Sequence, residues 1–374
     1  MPMRIAILGH FPVDAPPTGG VQSVIANLRD ALARREGIEL HLIQHRRGVP
    51  AGSFAREGWV EYNLPARESR LIPNMLRTSG LVRPLLEAIQ PDVVSTHQPE
   101  YAVAALRMGL PTLHTIHGFP GREFWVRRGL ATRAAMLLEA RLERETLRRA
   151  RHLVAISDLV VRRYRDRTRA AFHRIDNPVS PIFFQPGPPP NPNRILLVGN
   201  LTPVKGIDTA IRAMAILRPR FPHLRLVIVG RVGDPAYAEG VRALAAPLGE
   251  AVQFRGPVSQ AEVKALLDAS QALLLTSNQE HAPMILSEAM AAARPVVATR
   301  VGAAPGMVED GRTGFLADAG DAEGVAAALA RLLEDPDLAR SMGRRGAQLA
   351  RQRYHPDAVA DAYLRAMRAA MASS

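Results

Sequence analysis

Cysteine is absent from the 374 residues, which excludes disulfide bonds, thiolate metal ligands and a cysteine nucleophile. Long apolar runs are missing as well: the run at residues 5–8 is too short for the core of a signal peptide, and no later run reaches membrane-spanning length. Aromatic residues make up only 5% of the chain, so stacking platforms for single-stranded nucleic acid are scarce. These absences favour a cytoplasmic protein that does not span a membrane.

The length and the hydrophobic pattern predict two domains of the α/β class. Single domains seldom exceed about 200 residues, and strand-like apolar runs alternate with amphipathic helical segments in both halves of the chain. Between the halves, FFQPGPPPNPN contains too much proline and glycine for a helix or a central strand. We therefore predict a first Rossmann-like domain at 1–186, a linker at 187–193, a second such domain at 194–354 and a C-terminal helix at 355–374 that packs back on the first domain.

The predicted strands come from ten apolar runs. In the first half they are RIAILG, IELHLIQ, DVVSTH, PTLHTIH and HLVAIS, and in the second half RILLVGN, LRLVIVG, VQFRG, QALLLTS and PVVATR. Runs without regular alternation are typical of strands that are buried on both faces of a parallel sheet.

The net charge of +13 is unevenly distributed. Residues 1–186 contribute +10, from 27 arginines and 17 acidic residues, and the remainder contributes +3. In the basic half, RRYRDRTR contains five arginines, and the stretch 121–133 combines Arg122, Arg127 and Arg128 with Trp125. An anionic membrane surface, a nucleic acid or simple solvation would each explain such clusters. A solvated face is favoured for RRYRDRTR, whereas the aromatic residues favour an interfacial role for 121–133.

Loops that follow strands are where parallel α/β sheets bind ligands, because helices with free N–H groups begin there. Gly19 and Gly20 precede the first helix, where backbone amides could contact a phosphate or a sugar; a plain turn is equally compatible. In VGNLTPVKGID, Lys205 stands at the start of a helix, where the helix dipole disfavours a cation. An anion held by both is favoured there over a solvent-facing lysine. His117 ends a strand just before a glycine, where an imidazole can bond a ligand or a structural partner.

The stretch EHAPMILSE places Glu280 and Glu288 around an apolar segment. Pro283 suits the first position of a helix, so Glu280 is predicted to lie in the preceding loop and Glu288 inside the helix. Buried carboxylates need partners, and the hydroxyl groups of a sugar or a ribose would serve both, while the amides of Met284 and Ile285 would face a phosphate. The simpler alternatives are a capping acid at Glu280 and an exposed acid at Glu288.

The segment around these glutamates resembles a known family. It reads NQEHAPMILSEAMAAARPVVATRVGAAPGMVEDGRTGFL and is similar to the nucleotide-sugar-binding region of retaining glycosyltransferases of family 4, whose GT-B fold consists of two facing Rossmann-like domains. Other segments agree in order along the chain: GGVQSVIANL, TIHG, VAISD, DNPVSPIFFQP, VGNLTPVKGID and VQFRGPVS. The resemblance therefore spans nearly the whole chain.

The resemblance implies a role for each matching position. Glu280 corresponds to the residue that contacts the transferred sugar, Glu288 to the one that binds the ribose, and Lys205 to the lysine on the donor diphosphate. His117 corresponds to a histidine near the reacting sugar, and Gly20 to a glycine near the same phosphates. The implied catalytic residues are His117, Lys205 and Glu280. The implied donor-binding residues are Gly19, Gly20, Gly199, Asn200, Lys205, Arg231, Pro257, Val258, Glu280, Ala282, Pro283, Met284, Ile285 and Glu288.

Two departures from the family pattern concern the donor site. Asn200 stands where the family has an arginine before the lysine, so Arg231 is a candidate to supply the missing charge. After PVVAT, the usual glycine pair and following glutamate are replaced by Gly302, Ala303 and Gly306. The base would be held through backbone groups of the loop RGPVS, around Pro257 and Val258.

The resemblance implies the transfer of a hexose-type sugar, with retention of configuration, from a UDP-, GDP- or ADP-sugar to a glycan or lipid-linked acceptor in bacterial polysaccharide or glycolipid synthesis. No metal or other cofactor is expected, and the Asp-x-Asp at 335–337 is predicted to end one helix and start the next. The first domain would bind the acceptor, peripherally on the inner face of the cell membrane, through Arg122, Trp125, Arg127 and Arg128.

Two alternatives stay open at this point. One is a GT-B-like enzyme that epimerises or hydrolyses a nucleotide sugar. The other is a basic nucleic-acid-binding protein that uses the same arginines, although the sequence shows no recognised nucleic-acid motif and we expect no nucleic-acid partner.

Overall fold

A computed structural model describes residues 1–17, 19–46, 48–66, 74–119 and 130–373 of the chain. The chain divides into two compact units, of which the first comprises Met1–Pro178 and Pro356–Ser374 and the second Val179–His355. Each unit has a sheet and a hydrophobic core of its own. We therefore describe the two units separately.

The first unit is built on an eight-stranded sheet. Its strands are β1 (Met3–Leu8), β2 (Ile38–His45), β3 (Gly52–Arg56), β4 (Trp59–Leu64), β5 (Val93–Thr96), β6 (Thr112–Ile116), β7 (His152–Ala155) and β8 (Ala171–Arg174). They lie in the order β3-β4-β2-β1-β5-β6-β7-β8, and all neighbours are parallel except β3 and β4. The chain reverses its direction of travel across the sheet at β1 and β5, and α/β sheets bind ligands at the carboxyl end of such a switch point.

Helices cover this sheet, and the last helix of the chain is one of them. The helices are Gly20–Ala33, Thr78–Ile89, Pro99–Arg107, Leu130–Arg149, Asp158–Tyr164 and Pro356–Ala372, with 3₁₀ turns at Asn74–Leu76 and Arg165–Arg167. Ile5 and Ile7 of β1 are fully buried together with Leu28, Tyr363 and Met367. Because the last two lie on Pro356–Ala372, the C-terminal helix forms part of the core of the first unit.

The second unit is built on a six-stranded sheet in which all neighbours are parallel. Its strands are β9 (Asn191–Val198), β10 (Arg225–Val229), β11 (Val252–Phe254), β12 (Ser270–Leu275), β13 (Val296–Thr299) and β14 (Gly314–Ala317). The order β11-β10-β9-β12-β13-β14 places the switch point between β9 and β12. Residues that follow these two strands therefore lie side by side at the carboxyl edge of the sheet.

The helices of the second unit connect these strands. They are Ile207–Leu217, Pro235–Ala245, Gln260–Asp268, Met284–Ala291, Ala304–Met307, Ala322–Glu334 and Pro336–Arg353, with 3₁₀ turns at Pro181–Phe184, Pro203–Lys205 and Ala246–Ala251. Asp335 caps the helix Pro336–Arg353, since its Oδ1 accepts a bond from the amide of Leu338 at 2.9 Å. The predicted helix stop and start at 335–337 is therefore confirmed.

The predicted α/β class is confirmed, and every predicted strand is present. Four strands escaped prediction, β3, β4, β8 and β14. β3 and β8 are edge strands whose side chains are mostly exposed, so they lack the apolar pattern of a buried strand.

The division of the chain differs from the predicted one. The first unit ends at Pro178 instead of at 186, and β9 begins at Asn191, inside the segment 187–193 that was predicted to be a linker. Proline is compatible with the beginning of a strand, where a missing N–H interrupts no ladder. The proline-rich composition therefore indicated the neighbourhood of the boundary but not its position.

Candidate functional site

Lys205 lies at the carboxyl end of β9, at the switch point of the second sheet. It ends the 3₁₀ turn Pro203–Lys205, and Gly206 follows in the left-handed conformation with φ 56° as the cap of the helix Ile207–Leu217. A Cβ on Gly206 would approach the carbonyl oxygen of Thr276 to 2.2 Å. Glycine is therefore required here for its backbone angle and for the close approach of the loop that follows β12.

Lys205 and Glu280 form an ion pair, in which the lysine Nζ donates to Glu280 Oε1 at 2.5 Å. Ser277 Oγ donates to the same carboxylate oxygen at 2.7 Å. The Lys205 side chain is 26% exposed and that of Glu280 is 10% exposed, so the pair is sheltered but still reachable from solvent. In this structure the anion beside Lys205 is the Glu280 carboxylate, and the phosphate expected there from the sequence stays a prediction.

Gly302 fixes the backbone at Glu280. Its φ is 59°, and a Cβ built on it would lie 1.8 Å from the carbonyl oxygen of Glu280. The loop that follows β13 therefore packs directly against the backbone of the acidic residue, and only glycine allows this contact. Ala303 is buried beside it in the hydrophobic core of the second unit, which is called the second core below. Gly306 lies in the short helix Ala304–Met307 that follows.

The helix that carries Glu288 begins one residue later than predicted. Pro283 has an extended conformation, with ψ 109°, and caps the helix Met284–Ala291 without a side-chain bond. Among the described residues, nothing accepts a hydrogen bond from the amides of Met284 and Ile285, as expected for the first turn of a helix. Ala282 is partly buried against the second core. The helix start thus presents free amides at the same edge as the ion pair.

Glu288 is enclosed by protein, although part of its surface still reaches solvent. Its neighbours on the helix, including Leu286, Ala289 and Met290, are fully buried. Burial raises the pKa of the Glu288 carboxyl to about 7. Within the described part of the chain, no side chain or amide bonds to this carboxylate. A carboxylate in a recess with unused acceptor sites can receive the hydroxyl groups of a ligand.

Asn200 and Arg231 lie in neighbouring loops of the second unit. The amide of Arg231 donates to Asn200 Oδ1 at 3.3 Å, and the side chain of Arg231 is exposed. Gly230 allows the loops to touch, because a Cβ there would lie 2.0 Å from the carbonyl oxygen of Gly199. The stem of Lys205 passes over Gly199, since a Cβ at that glycine would meet Lys205 Cδ at 3.2 Å. The structure therefore places Arg231 beside the residue that replaces the family arginine.

Pro257 and Val258 lie in the loop after β11. The preceding Gly256 has φ 68°, and its carbonyl oxygen accepts a bond from the amide of Gly230 at 2.9 Å. Val258 is partly buried against the second core, whereas Pro257 is exposed. The loop is thus tied to the one that contains Arg231.

Gly19 and Gly20 begin the first helix of the first unit. Gly19 is the cap residue of the helix Gly20–Ala33, with an extended φ of −167° that any residue can adopt. A Cβ on Gly19 would meet no atom within 4 Å. Neither backbone angle nor packing against the described residues therefore requires glycine at this position.

His117 belongs to a histidine cluster at the carboxyl ends of β5 and β6. His97 Nδ1 and His117 Nε2 are 2.8 Å apart, with one ring donating to the other, and the rings stack at 5.1 Å. Thr96 Oγ1 bonds to His114 Nδ1 at 2.9 Å. Burial lowers the pKa of His117 to about 4 and that of His114 to about 3, and it lowers the pKa of His97 well below its usual value. The cluster is therefore uncharged at neutral pH.

A cavity of 290 Å³ lies beside these histidines. Phe119 and Glu143 contribute to its wall. Tyr164 donates from its hydroxyl to Glu143 Oε1 at 2.5 Å, and burial raises the pKa of the Glu143 carboxyl. His117 therefore lines a space that can admit a ligand, next to hydroxyl and carboxyl groups.

Two site residues escaped the sequence analysis, Ser277 and His97. Ser277 is fully buried and holds the Glu280 carboxylate, but a serine after a strand has no distinctive pattern. His97 had a signal, because the predicted strands DVVSTH and PTLHTIH both end in histidine and adjacent parallel strands bring their ends together. The four residues predicted to form the acceptor or membrane surface, Arg122, Trp125, Arg127 and Arg128, lie outside the described residues.

The described residues contain no group of three or more histidine, aspartate or glutamate side chains placed to hold a metal ion. Among the helices described, none combines the length and the apolar character needed to cross a membrane.

The two Rossmann-like units, the second with a cation, carboxylates and a free helix start at its switch point, define an α/β protein of the GT-B class. The family model for glycosyl transferases group 1 matches residues 179–349, and the model for glycosyltransferase family 4 matches residues 18–181. Together the two models cover both halves of the chain. The chain thus belongs to the family 4 glycosyltransferases, as the resemblance indicated.

Curated relatives share the name D-inositol 3-phosphate glycosyltransferase. The protein of Streptomyces avermitilis is 38% identical over 185 residues, which are 46% of this chain and 40% of the relative, so less than half of that relative's length is matched. The protein of Acidothermus cellulolyticus is 29% identical over 429 aligned residues, which cover 99% of this chain and 91% of that one.

Solved structures share the whole architecture. Sucrose-phosphate synthase from Thermosynechococcus elongatus has a TM-score of 0.76 and 21% identity, with 100% of both chains covered. Alr3699/HepE from Anabaena, in complex with UDP and glucose, has a TM-score of 0.71 and 18% identity, with 98% of this chain and 99% of that one covered. At such identities the likeness establishes the fold, and the predicted GT-B fold is confirmed.

Proposed function

We propose that this protein is a retaining glycosyltransferase that moves a hexose-type sugar from a nucleoside-diphosphate sugar to a hydroxyl group of its acceptor. The observation that carries this proposal is the ion pair of Lys205 and Glu280 beside the free amides of Met284 and Ile285. One cation, two amides and one carboxylate match the diphosphate and the hydroxyl groups of such a donor. Family membership supports the same chemistry, and UDP in the Anabaena structure makes UDP-sugars the first donors to test.

Lys205 and the helix start would stabilise the leaving diphosphate. Breaking the bond between the sugar and the phosphate develops negative charge on the diphosphate, and groups already oriented toward that charge lower the barrier. Two contacts hold Lys205 in position. The amide of Gly206 donates to the carbonyl oxygen of Pro203, and the aliphatic part of the Lys205 side chain packs over Gly199. We expect this arrangement to work without a metal ion. Arg231, whose amide bonds to Asn200, is our candidate to add a second positive charge.

Glu280 and Glu288 would bind different hydroxyl groups. Glu280 lies next to Lys205 and would accept hydrogen bonds from the transferred sugar, whereas Glu288 lies about one turn into the next helix and would accept them from the ribose. The backbone at Pro257 and Val258 would hold the base. Gly20 would approach the phosphates, and His117, neutral at physiological pH, would bond a hydroxyl of the reacting sugar.

The acceptor is proposed from the family resemblance, the charge of the chain and the name of the curated relatives. The resemblance and the basic first half of the chain favour a glycan or lipid-linked acceptor at the inner face of the cell membrane. The name of the curated relatives adds a phosphorylated polyol to the acceptors to be tested.

The donor site is tested by calorimetric titration of UDP, GDP and ADP into the full chain and into Lys205→Met. Charge-assisted bonds to a phosphate contribute about 1.5–3 kcal/mol, so we expect the variant to bind the preferred nucleotide roughly 10- to 100-fold more weakly. Arg212→Met is the matched control, because Arg212 is an exposed cation on the helix that follows Lys205 and pairs with Asp208. Equal affinity of Lys205→Met and the wild type would remove Lys205 from the diphosphate site.

The reaction class is tested with the preferred UDP-sugar and an acceptor. A transferase forms its glycoside only when the acceptor is present, whereas an epimerase or hydrolase releases product without one. NMR of the first-formed glycoside should show the anomeric configuration of the donor, and an inverted linkage would contradict the proposal of retention.

A further inference from the structure

A second cavity of the first unit is separate from the one beside His117. Its volume is 540 Å³, and it lies where the loops after β1 and β2 meet the β3–β4 hairpin. Pro12–Pro16 and Gly48–Pro50 form its two loop walls, and the side chains of Arg46, Phe54 and Asn63 line it. The cavity is therefore at the carboxyl edge of the sheet, where parallel strands present ligand sites.

Arg46 gives this cavity a positive charge that no described carboxylate neutralises. The guanidinium is partly buried, and the hydrogen bond it makes within the described chain is from Nη1 to the carbonyl oxygen of Phe11 at 3.4 Å. Arginine has five N–H donors, so most of its capacity is unused. The other cation of the cavity differs, because Arg56 bonds to Asp14 at 3.1 Å and lies 3.5 Å from Glu61.

The rest of the wall suits a sugar ring. Phe54 exposes 37% of its surface although it is a large apolar residue, and Arg56 stacks on its ring at 5.7 Å. Asn63 is buried, accepts a bond from Gln44 Nε2 at 2.9 Å and donates one to Glu61 Oε1 at 2.8 Å. Among the described residues, nothing bonds to the remaining N–H and acceptor position of its amide, which can take a further partner. An aromatic face beside an amide can stack on the C–H groups of a sugar and bond its hydroxyl groups.

Asp14 supports a ligand-binding role for the loop after β1. Its φ is 47°, a left-handed conformation that is uncommon for a residue other than glycine, and its carboxylate is held by Arg56. Residues in such conformations persist where surrounding structure holds them, and they concentrate at ligand sites. The strained residue and the arginine, which pairs with no carboxylate of the described residues, lie in the same cavity.

We propose that this cavity binds a sugar residue that bears one anionic group, a carboxylate or a phosphate ester, as part of the acceptor. Arg46 binds the anion, Phe54 stacks on the ring and Asn63 bonds a hydroxyl group. The inference rests on the proposed function in one respect, because it takes the bound sugar to belong to the acceptor. The structure offers both anions the same guanidinium, so the two sources are separated by experiment.

Saturation-transfer NMR and calorimetry on the full chain test the site with four probes: methyl glucuronide, glucose 6-phosphate, methyl glucoside and inorganic phosphate. We expect one or both of the charged sugars to bind at least tenfold more tightly than methyl glucoside and than inorganic phosphate. The stronger of the two charged probes identifies the natural anion. Equal binding of charged and neutral sugars, or binding of inorganic phosphate as tightly as of the sugars, would overturn the proposal.

Variants assign the binding to the cavity. Arg46→Met should weaken the charged probes at least tenfold, Arg46→Lys should weaken them less, and Phe54→Leu should weaken charged and neutral sugars alike. Arg83→Met is the control, since Arg83 is an exposed cation of the first unit that pairs with Glu87 outside the cavity. Unchanged binding in Arg46→Met and Phe54→Leu, with unfolding midpoints equal to that of the wild type, would show that the sugar binds elsewhere.

A titration of UDP on the same samples separates this inference from the proposed function. UDP should bind the wild type, Arg46→Met and Arg83→Met equally, because neither Arg46 nor Arg83 is among the proposed donor-binding residues, most of which belong to the second unit. Normal UDP binding without any preference for charged sugars would refute the cavity alone. A preference for charged sugars without UDP binding would refute the proposed function and keep the cavity as a sugar site.

Discussion

Lys205 and Glu280 bond to each other, although the proposed function assigns them to different parts of the donor. A diphosphate that binds Lys205 must therefore compete with the Glu280 carboxylate. The ion pair would thereby discriminate a UDP-sugar from UDP. UDP alone has to displace the Glu280 carboxylate from Lys205, whereas a UDP-sugar offers that carboxylate new hydroxyl partners.

Glu280→Gln should bind UDP more tightly than the wild type, by about threefold to tenfold, while it transfers sugar more slowly. The affinity rises because the ion pair with Lys205 is lost, and the rate falls because a charged acceptor for the sugar hydroxyls is lost. Calorimetry and a transfer assay measure the two effects, with Glu250→Gln as the control at an exposed acid of the same unit. Weaker binding of UDP to Glu280→Gln would contradict the competition.

The raised pKa of Glu288 predicts that the stability of the fold depends on pH. Its pKa is raised to about 7 by burial, so between its ordinary value of 4.5 and about 7 the folded protein holds a proton that the unfolded chain has released. The protonated carboxyl of Glu288 therefore contributes to the free energy of unfolding at low pH. This contribution, at most about 3 kcal/mol, is lost as the pH rises through about 7. Glu288→Gln should raise the unfolding midpoint at pH 8, by roughly 2–4 °C per kcal/mol, and leave it nearly unchanged at pH 4.5.

Glu100 allows a check on this assignment. Burial also raises the pKa of its carboxyl to about 7, and it lies in the first unit. Glu100→Gln should alter the same pH window without affecting nucleotide binding, whereas Glu288→Gln should affect both. A midpoint of Glu288→Gln that follows the wild type at every pH would refute the burial of a charge at this position.

At the scale of elements, the site depends on loops that touch through glycine. The turn after β9 and the loop after β13 both meet the loop after β12, at Gly206 and at Gly302. Both glycines have positive φ, and a side chain at either would collide with a carbonyl oxygen. In the sequence, Gly302 stands out only as a departure from the family pattern, because no local pattern shows which backbone a glycine will face.

Gly302→Ala should lower the rate of transfer on the order of 100-fold, because a displacement of about 1 Å at a reacting group costs that much. It should also destabilise the fold by about 1–3 kcal/mol, since alanine must adopt φ near 59°. Gly240→Ala is the control: a Cβ there meets nothing within 4 Å, and in the helix Pro235–Ala245 alanine is favoured by up to about 1 kcal/mol. Full activity of Gly302→Ala would show that the loop accommodates a side chain.

At the scale of the whole molecule, the chain completes its first unit with its last helix. The Tyr363 hydroxyl and Thr115 Oγ1 are 3.0 Å apart, and the Tyr363 ring is fully buried in the first core. Only after the second unit has been synthesised does Pro356–Ala372 become available to this core. The first unit therefore depends on residues far away in the sequence.

Tyr363→Ala should destabilise the first unit by about 3–5 kcal/mol, because it leaves a cavity and removes the partner of Thr115. Tyr363→Phe should cost only about 1 kcal/mol. Calorimetry should show the loss in the transition of the first unit, while the stabilisation of the second unit by UDP is retained. Equal effects of Tyr363→Ala on both transitions would contradict the assignment of this helix to the first core.

Local patterns in the sequence were enough to predict the α/β class, ten of the fourteen strands described, the helix stop at 335–337 and the family. These follow from local patterns, since buried strands show apolar runs and helix ends show capping residues. That Lys205 bonds to Glu280 and that Gly302 faces the backbone of Glu280 became evident from the tertiary structure alone. These contacts join residues on different strands and loops, and the order of strands in a sheet brings such residues together without leaving any pattern at either position.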